Sequence, residues 1–112
     1  RGIPMTVAQL QAATDLEILT MPNPDAEITG GYAGDLLSWV MGRAKVGQMW
    51  VTIMTNINVL AVASLLGLSC VILAENAEVT PMLTERAAQE GINLLRTKDD
   101  IFTFCRRCPV QS

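Results

Sequence analysis

From Ile57 to Ala74 the chain carries no charged side chain, and this run forces an early choice of architecture. A membrane-spanning helix needs about 20 mostly apolar residues. The run falls short of that, and Asn58, Ser64, Gly67 and Ser69 interrupt it. Its character also changes at Gly67, from the Ala- and Leu-rich Ile57 to Leu66 to the strand-like Ser69-Cys70-Val71-Ile72-Leu73. A buried helix followed by a buried strand accounts for both halves, and no membrane segment is predicted. The helix is apolar nearly all round, so it should be covered on more than one side, and either it lies under the sheet or it meets a partner subunit.

The rest of the chain follows the same alternation. Thr6 reads as the N-cap of a helix through Ala13, with Gln9 placed to complete a capping box, and Glu17 to Thr20 reads as a first strand. Met21-Pro22-Asn23-Pro24-Asp25 is a turn. Glu27 to Tyr32 is a second extended piece ending in the glycines, and Asp35 is placed to cap a helix that Gly42 closes. Arg43 to Gln48 reads as an exposed connection, Met49 to Ile53 as a third strand, and Thr55-Asn56 as the cap of the apolar helix. Ser69 to Leu73, without alternation, has the pattern of a central strand buried on both faces. Thr80-Pro81 opens a helix closed by Gly91, Ile92 to Leu95 is a fifth strand, and Asp99 or Asp100 starts a last helix. The expected fold is a three-layer α/β/α domain with a mostly parallel sheet of about five strands.

One such domain uses the whole length: residues 5–108, after a processing or vector remnant at 1–4 and before a tail at 109–112. Eight basic residues against eleven acidic give a net charge of −3, with only Arg106-Arg107 adjacent, so nucleic acid is not an expected partner. The complete lack of histidine removes the commonest general base and metal ligand. Three cysteines, an odd number without a signal peptide, predict a reducing, cytoplasmic setting. Cys105-Arg106-Arg107-Cys108 is a C-x-x-C, but one pair without a second pair or a histidine cannot close a structural zinc site. It reads as two ordinary thiols, with a redox role or a cluster shared between subunits as the alternative. Cys70 reads as a buried small hydrophobe.

Ligands of open α/β sheets gather at the carboxyl ends of the strands, where helix N-termini bring free amides. On this reading the candidate ligand residues are Thr29, Gly30, Gly31, Tyr32 and Asp35, then Thr55 and Asn56, then Arg96 and Lys98, a set suited to a small anionic ligand such as a phosphate or carboxylate. The bland alternative is that the glycines turn the chain, Thr55 and Asn56 cap a helix, and the cations are solvated. No phosphate-loop or dinucleotide-binding spacing is present. Asp25, Glu27 and Asp35 read as a helix cap and solvated turn residues in preference to a magnesium site. No nucleophile, base and orienting partner occur together, so no catalytic residue is assigned. An enzyme built on Asp35 with Thr29 or Thr55 would need a metal or a partner's residues.

Asp25-Ala26-Glu27-Ile28-Thr29-Gly30-Gly31, continuing through Tyr32-Ala33-Gly34-Asp35-Leu36-Leu37-Ser38, resembles the motif that gives the DRTGG domain family its name. Ala26 stands where the family usually has arginine, which removes that guanidinium. Gly91-Ile92-Asn93-Leu94-Leu95-Arg96-Thr97-Lys98 looks like the end of the N-terminal domain of the HPr kinase/phosphorylase family, to which DRTGG domains are related in fold. Together the two resemblances cover most of Thr6 to Arg107. They imply a three-layer α/β/α domain, commonly a homodimer, found alone or joined to CBS domains or to enzymes such as phosphotransacetylase, with a regulatory role. They do not imply kinase activity, because the kinase's phosphate loop lies in its other domain. Stand-alone versions resemble products of clostridial-type bacteria. The function expected is thus a non-catalytic regulatory or ligand-sensing module, its cofactors unspecified. The alternative is an interaction or dimerisation domain that docks a partner enzyme and binds no small molecule.

Overall fold

The computed structural model describes residues 4–110. Of the remnant expected at residues 1–4 only Pro4 falls among them, and residues 111 and 112 of the expected tail lie outside. The elements run α1 (Val7–Thr14), β1 (Glu17–Thr20), β2 (Gly31–Ala33), α2 (Leu37–Arg43), β3 (Met49–Thr52), α3 (Asn58–Leu66), β4 (Cys70–Leu73), α4 (Pro81–Gln89), β5 (Leu94–Arg96) and α5 (Ile101–Arg107). The five strands form one sheet in the order β1-β5-β4-β3-β2. β2, β3, β4 and β5 are parallel, and β1 pairs antiparallel with β5, so the mostly parallel sheet is a mixed one.

Each parallel crossover moves one strand along in the same direction. The right-handed rule for such connections then puts all three crossover helices on one face. The core agrees: one apolar cluster joins Val40, Leu60, Ala63, Leu83 and Ala87 of α2, α3 and α4 to Trp50, Val71, Leu73 and Leu94 of the sheet. The other joins Val7, Leu10 and Phe104 of α1 and α5 to Met49, Val51, Cys70, Ile72 and Leu95. Alternate residues of β3 and β4 thus feed opposite layers, and every residue of both strands is buried. That is why their sequences show no alternation of polarity.

Local signals set several boundaries. Thr6 and Gln9 make the full capping box of α1. The amides of Val7 and Ala8, which lack helical acceptors, donate to the carbonyls of Ala26 and Pro24. The Thr80 hydroxyl accepts from the Leu83 amide, with Pro81 at the first helical position. Gly91, with φ +72, ends α4 in the left-handed region that favours glycine.

Four expectations are corrected. The second extended piece does not end in the glycines: β2 starts at Gly31, and Glu27 makes only an isolated bridge with Thr6. Asp35 does not cap α2, whose N-cap position is Leu36 without a side-chain cap, and Gly42 lies inside that helix. The fifth strand is shifted to Leu94–Arg96, whose last residue pairs with both Glu17 of β1 and Leu73 of β4, while Asn93 just before it fastens the turn at Asn23 through its side chain. α3 has Ile57 at its N-cap position without a side-chain cap, and of the expected Thr55-Asn56 cap only Asn56 Oδ1 takes part, accepting from the Asn58 amide.

Candidate functional site

The polarity of β2 divides the expected ligand residues between two ends of the sheet. Thr29, Gly30 and Gly31 sit at the amino end, where the Thr29 hydroxyl donates to the Val46 carbonyl (3.0 Å) and its amide to the Gly47 carbonyl (2.9 Å). Gly47 has φ +82, and a Cβ there would stand 2.8 Å from Thr29 Cγ2. Glycine is required at that position by close approach. Tyr32 is a half-buried strand residue packed against the α2–α4 side of the core. These four residues shape a turn and an edge strand and do not meet Arg96 or Lys98.

Asp35, Thr55 and Asn56 lie at the carboxyl end as expected, where one side-chain oxygen of Asp35 and one of Asn56 are taken up by local structure. Asp35 Oδ1 accepts from Thr52 Oγ1 (2.7 Å) and from the Ile53 amide (2.9 Å), tying the β2–α2 loop to the end of β3. Asn56 Oδ1 accepts from the Asn58 amide in the first turn of α3. Trp50 Nε1 donates to the Gly34 carbonyl in the same region. Among the parallel strands the order runs monotonically from β2 to β5, so they contain no point of reversal. The crevice that such a point opens in doubly wound sheets is therefore missing here.

Space for a ligand opens instead where β5 meets β1. An open cleft of about 420 Å³ is lined by Thr14, Asp15 and Glu17 on one side and by Arg96, Thr97, Lys98, Asp99 and Arg107 on the other. Glu17 and Arg96 are register partners across the antiparallel pair. The guanidinium grips the carboxylate with Nε at 2.9 Å and Nη2 at 3.1 Å, while Nη1 donates to the Ala77 carbonyl (3.0 Å). This bidentate hydrogen bonding, with the charge of Arg96, holds the Glu17 carboxyl below its ordinary value and raises Arg96 further. Arg107 pairs with Asp99 and donates to the Thr14 carbonyl (2.9 Å). Lys98 is exposed and makes no ion pair among the described residues.

Three cations thus converge on one concavity, two of them oriented by carboxylates and one free. A guanidinium has five N–H donors, so both arginines keep donors beyond those already used. The floor is stiffened by the β4–α4 loop, where Glu75 and Asn76 adopt positive φ and donate backbone hydrogen bonds to the Asp99 and Thr97 carbonyls. Of the residues singled out from sequence, Arg96 and Lys98 belong to this cleft. Nothing in the sequence marks Thr14, Asp15, Glu17, Asp99 or Arg107 as ligand residues. The pairing of β1 with β5 brings Glu17 to Arg96 across 79 positions, and nothing local in the sequence announces that partnership.

No known family profile matches the chain, and no curated protein matches it. Among solved structures, it is similar to the CBS and DRTGG domains of the regulatory region of Clostridium perfringens pyrophosphatase, determined with its activator, diadenosine tetraphosphate. The TM-score is 0.67 at 15% sequence identity, covering 90% of this chain and 46% of the other. The present chain therefore spans less than half of that structure. At this identity the likeness concerns the fold, and it agrees with the DRTGG-related α/β architecture implied by the glycine stretch.

Proposed function

We propose that this domain is a cytoplasmic regulatory module that senses a small anionic ligand, a nucleotide or related phosphate compound, and performs no chemical step itself. The observation that carries this reading is the convergence of Arg96, Lys98 and Arg107 around one open cleft. Lys98 supplies an uncommitted charge, and the two arginines offer donors already held in place by Glu17 and Asp99. The similar solved fold belongs to a regulatory region with a nucleotide activator, which supports a sensing role. Free Cys70, Cys105 and Cys108 support a reducing compartment. No described helix is long and apolar enough to cross a membrane.

The test is a thermal-shift screen of the reduced protein against nucleoside polyphosphates, dinucleoside polyphosphates, acyl phosphates and coenzyme A derivatives. A ligand at about 100 times its dissociation constant should add roughly 2.7 kcal/mol to the stability of the fold. Lys98→Ala, at an exposed position, should leave the melting temperature of the free protein unchanged and abolish the ligand-induced shift. A shift that survives this substitution removes the cleft from consideration, and no shift from any compound removes the sensing role.

A second reading is favoured by the outer surface of the α2–α3 layer, where Leu36, Trp39 and Leu65 are 59%, 54% and 70% exposed. Here the domain is an interaction module that dimerises or docks a partner enzyme through this apolar surface and binds no small molecule. Light scattering on the same sample distinguishes the two. A stable dimer converted to monomer by Leu65→Asp, together with a blank ligand screen, is the signature of the interaction module.

A further inference from the structure

The C-x-x-C at the end of α5 has a third sulfur beside it. Cys105 lies in the last turn of the helix, and Cys108, with φ −73 and ψ 128, leaves the helix in extended backbone. That turn folds Cys108 back against the α1–α5 side of the core, where Met49 opens β3. Cys108 Sγ stands 3.8 Å from Met49 Sδ. Both line a cavity of about 170 Å³ together with Cys105, Gly31 and Val51. Met49 itself is only 6% exposed, and its side chain forms part of the wall of this open groove. Gly31 leaves room for it: a Cβ there would come within 3.0 Å of Met49 Cε.

We propose that Cys105, Cys108 and Met49 form a three-sulfur site for a soft monovalent metal ion, Cu(I). Thiolate and thioether sulfur together select Cu(I) over harder ions. The Cys108–Met49 separation of 3.8 Å fits: with metal–sulfur bonds of about 2.3 Å, two sulfurs at 110–120° on one ion lie roughly 3.8–4.0 Å apart. Structural zinc needs four ligands in a closed tetrahedron, and no cluster of three or more His, Cys, Asp or Glu residues suited to a metal occurs among the described residues. The lining beyond the sulfurs is mostly apolar, as a soft, weakly hydrated ion requires. Binding displaces one proton from each thiol to solvent, leaving two thiolates, a neutral thioether and a monovalent cation, for a net charge of −1.

The experiment is an anaerobic titration of the reduced full chain with Cu(I) held by a competing chromophoric chelator. One equivalent should transfer to the protein, and X-ray absorption on that sample should show three sulfur neighbours at about 2.3 Å. Cys105→Ser and Cys108→Ser should each abolish transfer. Met49→Leu keeps the volume of the side chain and should weaken Cu(I) binding at least 10-fold while the melting temperature and the number of titratable thiols stay the same. Cys70→Ala should leave Cu(I) affinity unchanged, because Cys70 does not line this cavity. Wild-type affinity in Met49→Leu, a two-sulfur absorption spectrum, or failure of the wild-type chain to take copper from the chelator would each overturn the proposal.

Discussion

Asn93 holds the backbone of Asn23 at both ends of its carboxamide: Oδ1 accepts from the Asn23 amide at 2.9 Å, and Nδ2 donates to the Asn23 carbonyl at 2.8 Å. The same Nδ2 donates to the Ser69 carbonyl at 2.9 Å. A residue 2% exposed thereby fastens the turn before the glycine stretch to the amino ends of β4 and β5. Asn93→Leu leaves the Ser69 carbonyl without this donor in the interior and releases the turn at the exposed Asn23, and should cost about 1–3 kcal/mol. Urea denaturation checks this. The midpoint should fall with an unchanged slope, since no additional surface is exposed on unfolding.

Asn93 also marks the limit of what the chain discloses without its structure. Where a device is local, sequence reveals it: the Thr6–Gln9 box, Thr80 before Pro81, and the unbroken apolar run of β4 all appear as read. Asp35 misleads because its position before a helix is the right one for a cap, yet Thr52 and Ile53 arrive from another strand and take its carboxylate. The glycines mislead for a related reason. Gly31 pairs with Met49 as the first residue of a strand, which moves the stretch to the opposite end of the sheet from Lys98. The cleft was half legible, as Arg96 and Lys98, because the other half depends on which strand becomes the neighbour of β5.

Asp35 should therefore behave as a tertiary clamp. Asp35→Ala deprives the fully buried Thr52 and the Ile53 amide of a charged acceptor and should destabilise the domain by about 1.5–3 kcal/mol. Asp35→Asn keeps one acceptor oxygen and should lose less. For a helix cap alone the alanine variant would lose only about 1 kcal/mol, and replacing Thr52 by Val in the same background would add its full separate effect. For the clamp, a double-mutant cycle between Asp35→Ala and Thr52→Val should show coupling.

Glu17 links the cleft to acid stability. Its carboxyl titrates below the ordinary 4.5 in the folded chain, so the unfolded chain binds a proton first as pH falls. The pair's contribution is complete above pH 4.5 and is lost as pH drops through the folded value. With the Glu17 side chain 54% exposed, that contribution is limited to about 1 kcal/mol or less and should shrink in high salt. Glu17→Gln should flatten this part of the acid limb between pH 5 and 3. The same substitution removes a carboxylate charge from the cleft and keeps one acceptor oxygen, freeing one donor of Arg96, so at pH 7 it should tighten the binding of any anion that occupies the cleft. Calorimetric titration of wild type and variant with a hit from the ligand screen reads that effect.

Cys70 should be chemically silent in the native state and visible at alkaline pH. Its side chain is fully buried in the α1–α5 side of the core, and burial pushes the thiol up to about 12 from an ordinary 9.0. An aromatic disulfide reagent at pH 8 should modify Cys105 and Cys108 in the native protein, and reach Cys70 only at the rate of unfolding. Between pH 9 and 12 the unfolded chain gives up this proton while the folded chain keeps it. The unfolded state then binds fewer protons, and stability must fall as pH rises, by up to about 1.4 kcal/mol per unit from this group. Cys70→Ala lowers stability at pH 7 by roughly 1 kcal/mol through the small cavity it leaves, but it should remove that alkaline slope. Parallel denaturation series at pH 8, 9 and 10 separate the two effects: converging curves place the titrating group at Cys70, and curves that stay a constant distance apart assign the alkaline loss to other groups.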